Sequence, residues 1–160
     1  MIPAFNTTGV LPLGRYPTDV AEVEQRFVDT FPSSATRAGV FRGWRMRCEE
    51  LLSIVPIAWE WIDGSFVTSK SNASDVDVAT FIRAEDLEHL TVPDRQRVLS
   101  LTVGPAPKLQ FGCDSYLVVI FDDAHPRHGQ YLAARGYWDN WWSRHDVAQG
   151  KGYIEVREVS

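Results

Sequence analysis

The stretch that most constrains this chain runs from residue 62 to residue 78: Ile62-Asp63-Gly64-Ser65-Phe66-Val67-Thr68-Ser69-Lys70-Ser71-Asn72-Ala73-Ser74-Asp75-Val76-Asp77-Val78. A hydrophobic run ends in Gly64-Ser65, a polar loop follows, and a second hydrophobic run opens with aspartates at i and i+2. In a strand, i and i+2 share a face. Asp75 and Asp77 are therefore expected side by side, with Val76 and Val78 turned into a core. Two carboxylates held together repel unless a cation joins them. The stretch is thus a candidate divalent-metal site with Gly64-Ser65 close by.

The flanking sequence predicts helices and strands intermixed. Residues 1 to 17 read as an extended arm with turns, because Pro3, Gly9, Pro12, Gly14 and Pro17 punctuate them. Thr18 or Asp19 can cap a helix predicted over about 19 to 30, whose apolar side is Val20, Val23, Phe27 and Val28. A second helix is predicted over about 34 to 54. Its Arg37, Arg42, Arg45 and Arg47 read either as a solvated face or as an electropositive wall near a phosphate site. Strands are predicted over about 57 to 62 and 75 to 82, with helical residues from 84 to 101 interrupted near Pro93. Gly104-Pro105-Ala106-Pro107 reads as a loop. The run from 116 to 121 is the clearest strand, with Asp114 just before it. An aromatic helix over 131 to 143, a Gly150-Lys151-Gly152 turn and a strand over 153 to 159 complete the chain. The pattern implies one α/β (α+β) domain over residues 1 to 160, a mixed sheet flanked by helices, with its core at 57 to 121.

Composition excludes some classes. At 160 residues, 44% hydrophobic and 23% charged, the chain suits a single soluble domain with a real core. A net charge of -5 argues against a general DNA- or RNA-binding surface, though not against a local nucleotide site. Cys48 and Cys113 are far apart and lack metal-ligand spacing, so they read as reduced thiols. Residues 1 to 14 have no signal-peptide pattern, and no apolar run approaches the ~20 residues that span a bilayer. The expectation is a cytoplasmic protein with no membrane partner.

Three carboxylates carry the chemistry: Asp75 and Asp77 at the start of one strand and Asp114 at the start of another. If those strands are neighbours, the acids meet at one end of the sheet. Oxygen-only ligands of this kind suit Mg²⁺ or Mn²⁺. Two such ions can bridge a nucleoside triphosphate and an attacking hydroxyl. Gly64 lets backbone approach a phosphate, the Ser65 hydroxyl donates to its oxygens, and Lys70 adds a point charge.

Gly64-Ser65, the spacer, Asp75-Val76-Asp77 and the later Asp114 together resemble the nucleotidyltransferase superfamily, which shares its fold with DNA polymerase beta. Leu11-Pro12-Leu13-Gly14, the run from Asp63 to Lys70, and Lys151-Gly152 also look like a group of small bacterial proteins related to the minimal nucleotidyltransferases. The resemblance covers about residues 57 to 121 in its core. Where many minimal members carry an arginine and a glycine after Gly-Ser, this chain has Val67, Thr68, Ser69 and Lys70. The resemblance implies transfer of a nucleoside monophosphate from a triphosphate to a hydroxyl of a protein, RNA (such as tRNA) or small molecule. It also implies a protein partner of toxin–antitoxin or defence type.

Two rivals stand beside this reading. One is a catalytically degenerate module that binds a nucleotide or a partner without transfer. The other is a small α+β structural protein whose acids are surface features. His125 and His128, beside Asp122 and Asp123, read as a polar surface loop rather than a metal site, because their spacing and Pro126 assure no convergence. Cys48 on an apolar helix stripe reads as core. Tyr137, Trp138, Trp141 and Trp142 spread around the helix, so the expectation is a core face plus an exposed one open to association.

Overall fold

The computed structural model describes residues 1–144, 150–157 and 159, and these form five strands and six α-helices. In chain order they are β1 (Arg15–Thr18), α1 (Val20–Glu24, continued by a wider helical turn over Gln25–Asp29), α2 (Arg37–Leu52), β2 (Trp59–Asp63), β3 (Val76–Arg83), α3 (Ala84–Glu88), α4 (Val92–Thr102), α5 (Ala106–Phe111), β4 (Cys113–Ile120), α6 (His128–Arg144) and β5 (Tyr153–Val156). The architecture is α+β, as the intermixed pattern predicts. The strands make one mixed sheet in the order β1-β5-β2-β3-β4. β1 and β5 are parallel, β2 is antiparallel to both β5 and β3, and β3 and β4 are parallel.

The period of two sorts side chains onto two faces. Ile62, Val76, Val78, Ile82, Ile154 and Val156 face a core that includes Trp44, Cys48 and Leu51 of α2. Trp61, Ala79, Phe81, Val118 and Tyr153 face α6, whose Trp138 and Trp142 pack on them. Trp142 is buried while Tyr137 and Trp141 are partly exposed, so α6 has the core face and the exposed face its pattern predicts. No helix among the described residues is long and apolar enough to cross a membrane.

The start of α1 follows its local signal: Asp19 accepts from the Glu22 N–H at 2.8 Å, occupying one of the unpaired donors of the first turn. Some elements depart from the sequence reading. Residues 104 to 107 are not all loop, because α5 begins at Ala106. Pro107 lies in its first turn, where a missing N–H breaks no helical hydrogen bond. Residues 15 to 18 form β1 rather than arm, and Pro17 is tolerated because β1 is an edge strand. The last strand stops at Val156, short of 159.

The arginines of α2 need the largest correction. Arg37 and Arg47 belong neither to a solvated face nor to a phosphate-facing wall; both are fully buried. Arg47 Nη2 donates to Glu60 Oε1 at 2.7 Å and to Thr80 Oγ1 at 2.8 Å, while Trp44 Nε1 donates to Glu60 Oε2 at 2.6 Å. Glu60 thus brings a charge into a mostly apolar face, and Arg47 neutralises it. Arg37 instead binds backbone. Its Nη1 donates to the carbonyls of Phe27 (2.9 Å) and Phe66 (2.7 Å), and its Nη2 to those of Thr68 (2.7 Å) and Lys70 (2.6 Å). One guanidinium fork satisfies four carbonyls, fixing the loop after Gly64-Ser65 against α1 and α2.

Candidate functional site

Strand register builds the site. Asp63, the last residue of β2, pairs with Asp77 of β3, and Asp77 pairs with Asp114 of β4. Residues in register share a face, so three carboxylates stand in a row across three strands on the α6 side of the sheet. Asp75 precedes β3 by one residue and shares the face of Asp77, as the alternation predicts. The neighbouring strands expected for Asp75, Asp77 and Asp114 are therefore present, and Asp114 lies inside its strand rather than before it. Asp63 is a fourth acid, adjacent to Gly64, that the spacing argument did not single out.

Gly64 links the row to the loop. Its φ of 81° is a conformation L side chains rarely adopt. A β-carbon there would lie 2.2 Å from Asp77 Oδ2, so the Asp77 carboxylate occupies the space that glycine leaves open. The chain then enters a single turn over Ser65–Val67, where Phe66 and Val67 are buried. Ser65 Oγ is buried and has no hydrogen-bond partner among the described residues. The loop's far end is held from outside as well: Ser69 N–H donates to the Gly9 carbonyl at 2.8 Å, and Asn72 Oδ1 accepts from Ala35 N–H at 2.9 Å.

Two lysines interleave with the four acids. Lys108 of α5 places Nζ 2.9 Å from Asp75 Oδ2 and 3.1 Å from Asp114 Oδ2. Lys151 places Nζ 2.9 Å from Asp63 Oδ1. Lys151 is delivered by a close backbone crossing, since a β-carbon on Gly152 would lie 2.2 Å from the Pro12 carbonyl oxygen. The Gly152 N–H donates to the Leu11 carbonyl at 2.9 Å, and the Tyr153 N–H to that of Gly14 at 3.0 Å. The segments 11 to 14 and 151 to 152, singled out from opposite ends of the sequence, are thus packed against each other beside the acids.

A cleft of about 470 Å³ opens over this floor, lined among others by Asp63, Gly64, Ser65, Asp77, Tyr116 and Lys151. A second cleft, of about 530 Å³, lies on the other side of Tyr116 and reaches Lys108, Asp114, Leu117 and Trp138. Burial pushes the Asp63 carboxyl up to about 6 against the pull of Lys151. Burial likewise pushes Asp77 up to about 6, with repulsion from Asp75 and Asp114 in the same direction. The Tyr116 phenol, also raised by burial and then by Asp114 and Asp77, sits at about 12 and stays protonated at neutral pH.

Of the six residues picked out from sequence, Gly64, Ser65 and Asp77 line the first cleft and Asp114 lines the second. Asp75 joins them through Lys108. Lys70 does not line either cleft: its side chain is exposed on the loop, and its carbonyl is held by Arg37. No three His, Cys, Asp or Glu side chains among the described residues converge as a metal-ligand group, and Lys108 stands between Asp75 and Asp114. His128 Nδ1 lies 2.9 Å from the Phe121 carbonyl oxygen and His125 Nδ1 accepts from the Arg127 N–H, so these two histidines serve the turn into α6. His145 lies outside the described residues. Cys48 and Cys113 are buried free thiols, and burial pushes Cys113 up to about 12.

No curated protein matches this chain, and no solved structure matches it. A family of unknown function, DUF6932, matches over residues 3–157. The match spans the sheet, the acid row and both lysines, and the chain belongs to that family.

Proposed function

We propose that the cleft is a nucleotidyl-transfer site that works with Mg²⁺ or Mn²⁺ and a nucleoside triphosphate. The observation that carries this reading is the register of Asp63, Asp77 and Asp114 across three neighbouring strands, with Gly64-Ser65 at the end of the first. The donor set fits the ion, since carboxylate oxygens are the ligands these cations prefer. An ammonium already shared by Asp75 and Asp114 acts as a stand-in cation, and the Gly64 gap admits the Asp77 carboxylate.

On this reading Asp75, Asp77 and Asp114 hold the divalent cation. When bound, it offsets phosphate charge and acidifies the acceptor hydroxyl. Ser65 Oγ, a buried donor without a partner among the described residues, turns to a phosphate oxygen, and Lys151 supplies positive charge on the cleft floor. The acceptor oxygen attacks the α-phosphorus, the bond to pyrophosphate breaks, and Asp114, at the edge of the second cleft, takes the hydroxyl proton. The acceptor enters from the α5 side and is a protein, RNA or small-molecule hydroxyl. A cytoplasmic setting and a toxin–antitoxin or defence partner belong to the same proposal.

A second reading, a nucleotide- or partner-binding module without transfer, is favoured by one observation: Lys70 stands outside the cleft lining. Titration with MgATP and MgCTP followed by transfer of labelled nucleotide separates the two. Metal-dependent binding with transfer supports the enzyme, and binding without transfer supports the module. Nucleotide binding unchanged in both Asp75→Ala and Asp77→Ala sinks the metal site.

A further inference from the structure

Lys108 sits where a cation belongs. It extends from α5, a six-residue helix capped by Gly112, immediately before β4 begins. From there its ammonium reaches one carboxylate at the entry to β3 and one within β4, 2.9 Å and 3.1 Å away. Among the described residues, no other lysine or arginine side chain forms an ion pair with Asp75 or Asp114. The Lys108 side chain is 49% exposed, so its stem has solvent to move into. Lys151, the other cation of the site, differs in this respect: its side chain is 12% exposed, and the next residue, Gly152, is packed against residues 11 to 14.

We propose that Lys108 is a positioning residue that holds Asp75 and Asp114 together as a placeholder for the divalent ion and must swing out when the ion binds. The inference rests on the metal-site reading above. An ammonium is a single charge that approaches carboxylate oxygens to about 2.9 Å, whereas Mg²⁺ carries two charges and takes the same oxygens at about 2.0–2.1 Å. The two cannot share the gap. A half-exposed ion pair is weak and is screened by solvent, so the exchange is readily reversible. The placeholder has a purpose in the ion-free protein: it keeps two like charges from driving the ends of β3 and β4 apart.

The chain has three lysines, Lys70, Lys108 and Lys151, which makes a labelling test clean. Mn²⁺ binding is measured by calorimetry on wild type and Lys108→Met. Acetylation of Lys108 in the wild type is followed by mass spectrometry with and without Mg²⁺, and exposed Lys70 serves as the internal reference. The expected result is Mn²⁺ binding about fivefold tighter in Lys108→Met, the equivalent of one exposed ion pair, together with faster Lys108 acetylation when Mg²⁺ is present. Equal Mn²⁺ affinity in the two proteins overturns the inference and leaves the metal site standing. Tighter binding with Lys108 labelling unchanged by Mg²⁺ reports only the lost charge and also overturns it. No Mn²⁺ binding to either protein overturns the metal site and the placeholder together.

Discussion

Asp77 Oδ2 fills the position next to Gly64 that a side chain would take: a β-carbon on Gly64 would lie 2.2 Å from it. Gly64 also holds a φ of 81° that other residues adopt only under strain. Gly64→Ala must therefore shift the carboxylate and strain the backbone at once. The strain alone costs about 1–3 kcal/mol, readable in urea unfolding. Mn²⁺ affinity is expected to fall by more than about tenfold, because the displaced group is a proposed ligand. Full Mn²⁺ affinity in a folded Gly64→Ala protein rules out Asp77 as that ligand.

The raised Asp77 carboxyl gives a pH signature with a definite sign. Its ordinary value is 3.8 and its folded value about 6, so the native protein holds this proton more tightly than the unfolded chain does. Stability from this group is highest below about 4 and is lost as pH rises towards about 6. Asp77→Asn removes the effect. The melting temperature of the variant relative to wild type should climb across pH 4 to 6 and level off above that. A flat difference across the window contradicts the burial and charge crowding assigned to Asp77.

Breaking the buried pair beneath the sheet should be costly. Glu60 balances Arg47 and accepts from Trp44 and Thr80. Glu60→Ala leaves a buried guanidinium uncompensated, for a loss of about 3–5 kcal/mol in denaturant unfolding. A loss below about 1 kcal/mol shows instead that water reaches Arg47.

Arg37→Lys tests the loop clamp. An ammonium cannot reproduce a fork that serves the carbonyls of Phe27, Phe66, Thr68 and Lys70. A stability loss of about 1–3 kcal/mol is expected, with faster hydrogen exchange at the Ser69 amide, which bonds the Gly9 carbonyl. Unchanged Ser69 protection indicates that the N-terminal arm holds the loop unaided.

How far the site was legible depends on which physical rule places each residue. Asp75 and Asp77 follow from the two-residue period, which needs no tertiary information. Asp114 follows from an acid set against a strongly apolar run. Asp63 was hidden because its place in the row depends on the β2–β3 register, which the loop and the whole sheet set together. Lys108 was hidden by its neighbours: Pro105 and Pro107 read as breakers, yet a proline in a first turn is compatible with a helix. Arg37 and Arg47 read as surface because charged residues on helices usually are. The available signal was Glu60 between Trp59 and Trp61, an acid in an apolar strand that required a buried cation. β1 escaped because a four-residue edge strand containing Pro17 carries almost no periodic signal.

The position of β5 has a consequence for the order in which the chain can assemble. It is the last described strand in sequence, yet it lies inside the sheet, between β1 and β2. While the chain is being synthesised, β1 and β2 have no common neighbour until Tyr153–Val156 clear the ribosome. Asp63 acquires Lys151 at the same late moment. A growing chain therefore carries an incomplete sheet, with Asp63 lacking its lysine, until these residues join, and the cleft acquires its floor only then.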